Sequence, residues 1–150
     1  PGLAQRMSAG SGITHSEVNA SKAAPVHLVQ MWVVPDTLGI APSYEDQDFS
    51  ETLAGGELVA VASGQGHKGA LPIHQQGAVM WVGRLVEGAG AVLPAAPFVH
   101  LFIAKGSVEL DTVILEEGDA VRLTHAGALK VTSQGDSEII IWESQQKANR

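Results

Sequence analysis

His15 and Glu17 stand two residues apart in the stretch MSAGSGITHSE, and together they offer an imidazole nitrogen and a carboxylate oxygen. That donor pair suits Fe, Mn, Ni, Cu or Zn. On a β-strand, residues i and i+2 leave the same face, so both side chains can reach one cation while Ser16 turns away. Two protein donors leave a cation mostly to water, whereas a competent site takes three or four. Gly10 and Gly12, just upstream, let the backbone pass close to such a site. The chain contains no cysteine, which excludes disulfides, thiolate zinc sites and a cysteine nucleophile.

The other histidines carry plainer readings. His27 alternates with Val26 and Leu28, pointing away from the Gln30 set and lining a barrel or lying under a loop. His67 and His74 fall in the glycine-rich stretch GQGHKGALPIHQQ, whose composition suggests solvated histidines. His100 stands alone in an apolar run, and His125 follows a strand into a turn. Both read as hydrogen-bonded structural residues.

The elements that must position these groups are strands. Short alternating or apolar runs separated by turn residues recur along the chain, and no 3.6-residue period is sustained over four turns. Strands are expected at 26–34, 58–62, 79–87, 99–103, 107–110, 113–115, 120–124, 129–132 and 138–143. The rhythm of KGSVEL followed by LEEGDAVRL is that of consecutive hairpins in an all-β jelly-roll barrel or sandwich.

With 150 residues, 45% hydrophobic and 17% charged, the chain can bury one good core. A net charge of −7, with nine scattered basic residues, argues against nucleic acid as a partner. No apolar run is long enough for a membrane span. The cytoplasm is the expected location, and no membrane partner is expected.

The landmarks MSAGSGITHSE, Asn19, Ser21, APVHLVQMWVVP, GIAPSYEDQDF and IHQQGAVMWVGRL together resemble the pirin family, whose bicupin members include bacterial quercetin 2,3-dioxygenases. The likeness runs loosely to residue 143 and is most specific in the first forty-five residues. It implies a cupin fold arranged as follows. Residues 1–35 are strands of an N-terminal cupin, residues 36–44 a linker, residues 45–145 a C-terminal cupin, and residues 146–150 a frayed tail. Pirin-like proteins carry an HxH motif upstream of the HSE segment, and this chain has none. The resemblance therefore implies that the sequence is the C-terminal portion of a longer protein.

By the same resemblance, His15 and Glu17 are the third and fourth ligands of a His3Glu site for a divalent transition metal. Fe is the first choice, ahead of Ni, Cu, Mn, Zn or Co. The implied activity is dioxygen-dependent ring opening of a flavonol such as quercetin. Glu17 is then also the catalytic residue that takes the substrate's hydroxyl proton, and Asn19 and Gln30 are pocket or supporting hydrogen bonders. The second cupin looks chemically silent, because GAVLPAAPFVHLF places Pro94, Ala95, Ala96 and Pro97 where ligands would stand. The alternative implied by the family is a non-catalytic, regulatory protein-binding module. Strands lacking their partner sheet would expose Val26, Leu28, Trp32 and Val34, so the N-terminal segment is expected to homodimerise, swap strands or stay disordered.

Overall fold

Ile139, Ile140 and Ile141 are consecutive and all buried, which requires a strand covered on both faces. They belong to β12 (Ser137–Ser144), at the centre of the fold. The computed structural model describes residues 2–146. The tail expected to fray lies outside them from residue 147 onward.

Two sheets form the barrel. The larger contains β3 (Val59–Ser63), β4 (Leu71–Pro72), β5 (Ala78–Leu85), β7 (Phe98–Lys105), β10 (Ala120–Thr124) and β12, in the order β10-β7-β12-β5-β3-β4. The smaller contains β6 (Gly90–Val92), β8 (Ser107–Leu110), β9 (Val113–Glu116) and β11 (Lys130–Ser133), in the order β6-β11-β8-β9. Neighbours run antiparallel except β3 and β4. This is the all-β jelly roll expected from the hairpin rhythm. Eight of the nine expected strands are present, with ends shifted by at most two residues.

Alternation sorts the β12 side chains into two cores. Ile139 and Ile141 join Leu101, Ile103, Val108 and Val131 between the sheets. Ile140 joins Val82, Ala104 and Phe102 on the outer face of the six-stranded sheet. That outer face is covered by Phe49 and by Leu53 of the short helix α1 (Ser50–Leu53). Ala4 and Val29 of the N-terminal region pack there too.

Ala4 belongs to β1 (Leu3–Ser8), which pairs antiparallel over six residues with β2 (Ser43–Asp48). The β2 sequence SYEDQD has little intrinsic strand preference, and its conformation follows from the pairing. Ser43 and Tyr44, read as the end of a linker, already belong to this ribbon.

The strand expected at 26–34 is not formed: residues 9–42 carry no regular element. Its alternation is real, but a strand also needs a neighbour for its N–H and C=O groups, and no described ladder includes these residues. Instead residues 29–32 cross the outer face of the six-stranded sheet, over a groove of about 450 Å³ floored by His100, Phe102, Ile140 and Trp142. The Trp142 indole N–H donates to Met31 Sδ at 3.0 Å. Burial lowers the His100 pKa, and Arg122, directly opposite on β10, pushes it the same way.

Truncating Ile141 to Ala should lower stability by about 2–5 kcal/mol in urea unfolding, because the cavity opens in a fully buried site. The depressed His100 pKa carries a definite sign. Stability tied to its neutral form is complete above the ordinary value of 6.5 and is lost as pH falls through the lower folded value. His100→Leu should therefore flatten the fall in stability below pH 6.5, as read by urea midpoints across pH.

Candidate metal-binding segment

The route from the ribbon to His15 is set by one close approach. Past Ser8 the chain turns at Ala9–Gly12, where the Gly12 N–H donates to the Ala9 carbonyl at 2.8 Å and the Ser11 N–H to the Ile40 carbonyl at 3.0 Å. Gly10 has φ +55, and a Cβ there would lie 1.9 Å from the Ile40 oxygen. Only glycine fits against that carbonyl. The ribbon thus closes at its end before the chain departs toward the His-x-Glu pair.

His15, Ser16 and Glu17 are exposed and stand in irregular backbone rather than on a strand. The donor set suits a divalent transition cation in type but supplies two ligands only. Among the described residues no group of three or more His, Asp or Glu comes together to hold a metal.

Asn19 is spent locally. Its Nδ2 donates to the Ala24 carbonyl at 2.8 Å, and its Oδ1 accepts from the Ser21 N–H at 3.0 Å. Ser21 Oγ accepts in turn from the Ala23 and Ala24 N–H groups. This is an Asx and Ser turn that organises residues 19–24. Gln30 is exposed beside the groove over His100, and His27 is exposed as well. Farther along, the Asp36 N–H donates to the His74 carbonyl at 2.8 Å, while Asp36 Oδ2 accepts from the Gln76 N–H at 2.6 Å. His74 therefore serves the segment through its backbone, and its exposed ring is free of that role.

Inside the barrel a second polar group gathers that sequence reading did not assemble. His67, expected to be a solvated loop residue, is half-buried, with Nδ1 2.9 Å from Ser63 Oγ. Ser63 Oγ also accepts from the Gln65 N–H at 3.0 Å. The His67 ring meets Trp81 edge to face at 5.1 Å. Buried Glu143 accepts from the Trp81 indole N–H at 3.1 Å and from Gln65 Nε2 at 3.2 Å. A signal for Glu143 was present, since it shares the inward parity of Ile139 and Ile141 on β12. The contributions of Gln65 and His67 depend on how the β3–β4 loop folds back over the barrel.

In the stretch 90–102, Leu93 and Ala96 are buried in the inter-sheet core. His100 projects to the outer face of the sheet. His125 has φ +50 and packs its ring on Phe98 at 5.8 Å.

Residues 60–143 match the family described as quercetinase C-terminal cupin domain, and residues 1–33 match the family described as pirin. A Mycobacterium tuberculosis protein named "Putative quercetin 2,3-dioxygenase" is 50% identical over 149 residues, covering 98% of this chain and 61% of that protein. The quercetin 2,3-dioxygenase of Escherichia coli K12 is 32% identical over 140 residues, covering 93% and 59%. The crystal structure of YhhW from E. coli superimposes with a TM-score of 0.85 at 29% identity, covering 97% of this chain and 62% of that one. The structure of this bacterial pirin in complex with nickel(II) superimposes with a TM-score of 0.83, covering 95% and 61%. The chain thus spans about three-fifths of the length of its relatives. The jelly roll of residues 59–144, the glycine-closed turn that leads to His-x-Glu, and these matches to both parts of the chain together make it a member of the pirin family, with a cupin fold.

Proposed function

We propose that this chain is the larger part of a metal-dependent dioxygenase acting on a flavonol, in which His15 and Glu17 are two of the metal's ligands. The observation that carries the reading is the exposed His-x-Glu pair, delivered by a turn that admits only glycine at position 10. Two relatives bear the quercetin dioxygenase name, and the bacterial pirin YhhW has been crystallised in complex with nickel(II). The remaining ligands belong to a second cupin outside this chain, in keeping with the longer relatives.

A divalent transition metal held there would polarise the oxygens of a chelating flavonol. The chain's own part is then to hold the cation through His15 and Glu17 and to take the substrate's hydroxyl proton on a Glu17 carboxylate oxygen. Gln30 is exposed and available to hydrogen-bond, whereas Asn19 acts by shaping the 19–24 loop.

The same segment exposes Val18, Leu28, Trp32, Val34 and Leu38, with Trp32 92% accessible. Apolar side chains concentrated on one 34-residue stretch mark a covered surface in the working protein, and we assign that cover to the second cupin. When this cover is lacking, a second copy of the chain is the substitute.

Elemental analysis should find a stoichiometric divalent metal in the chain extended upstream to the length of its relatives and little in the present chain. His15→Ala should remove it from the extended protein, which should consume dioxygen with quercetin. Metal absent from both forms would overturn the enzyme reading in favour of a protein-binding module. In gel filtration the present chain should elute as a dimer or larger, and the extended protein should not self-associate through this surface. A monomeric present chain would refute the assigned cover.

A further inference from the structure

Arg6 is a cation with only 9% of its surface exposed, although it lies on a two-stranded ribbon. Its Nη2 pairs with Glu45, its direct cross-strand partner. Its Nη1 donates to Ser43 Oγ at 2.5 Å and lies 3.4 Å from Ser8 Oγ. Ser8 and Ser43 are the last rung of the ribbon. One guanidinium therefore ties together both strands at the point from which the chain departs, through Gly10 and Ser11, toward His15 and Glu17. Its Nε is buried without a partner among the described residues. The group has thus given up water for these cross-strand contacts, in a setting where charge-assisted bonds are strong.

We propose that Arg6 is a positioning residue for the His15/Glu17 segment, clamping the β1–β2 ribbon so that the Ser11 N–H stays docked on the Ile40 carbonyl. The metal-binding consequence rests on the dioxygenase reading, whereas the clamp itself does not. Lysine cannot replace it, since one ammonium cannot span Glu45 and the terminal serines as a planar fork does.

Native-state hydrogen exchange on the present chain tests the clamp. In Arg6→Met the Ser11 amide should exchange about tenfold faster or more, as expected when a charge-assisted contact holding it is lost. The amides of β5, β7 and β12 should keep their protection and so serve as the internal reference for global stability. Arg6→Lys should rescue only part of the effect. Should Arg6→Met fail to fold, Ser43→Ala removes a single contact and should still speed Ser11 exchange. Unchanged Ser11 exchange, or acceleration only in step with β12, would overturn the proposal.

In the upstream-extended chain, Arg6→Met should weaken nickel(II) binding about tenfold, the scale of a lost supporting contact behind a ligand. Undiminished affinity would confine Arg6 to ribbon stability. Absence of nickel binding by the unsubstituted extended chain would count against the dioxygenase reading, and the exchange result would still decide the clamp.

Discussion

Ile139, Ile140 and Ile141 point alternately into two separate apolar clusters, and this double burial of β12 is the constraint on which the rest of the structure rests. A strand buried on both faces must lie inside a sheet, with partners along both edges. Here β5 and β7 fill those edges along nearly its whole length. Each fully buried isoleucine side chain is worth about 1.5–3 kcal/mol of transfer free energy. The inner set holds the two sheets together, and the outer member gives the N-terminal region something to dock against.

That outer core separates this chain from a bare barrel. Phe49, Leu53, Ala4 and Val29 bury the outside of the sheet, so the ribbon and the middle of the 9–42 segment are seated on apolar contacts. The segment has no internal ladder of its own. Its course is instead fixed at points: the Ser11 and Ile40 contact, the Asn19 turn, Met31 over Trp142, and Asp36 on the His74–Gln76 loop. A segment held this way leaves His15 and Glu17 exposed.

The chemistry of the two halves differs accordingly. In the C-terminal barrel the polar groups are paired inward: Glu143 is satisfied by an indole and an amide, and His67 by a serine hydroxyl. Leu93 and Ala96 occupy core positions in the stretch read as chemically silent. On the N-terminal segment the donors face solvent. The same segment also exposes apolar side chains, a combination that suits a surface shared with another folded unit.

Apolar or alternating runs bounded by turn residues were enough to locate the barrel strands, because EIIIWE, VHLFIAK and AVMWVGRL are apolar enough to mark strands with buried faces. His15 and Glu17 were singled out by donor type and spacing, and their role as ligands came from the resemblance to the pirin family. Three features were decided only by tertiary structure. SYEDQD became a strand because β1 lay beside it, and VHLVQMWVV did not because no described residue pairs with it in a ladder. The Arg6 clamp and the Glu143 group each join residues more than thirty-five positions apart. Local sequence records which face a side chain prefers; only the folded chain determines which distant backbone or charge stands opposite, and it is that partner which turns a polar residue into a clamp, a turn or an open ligand.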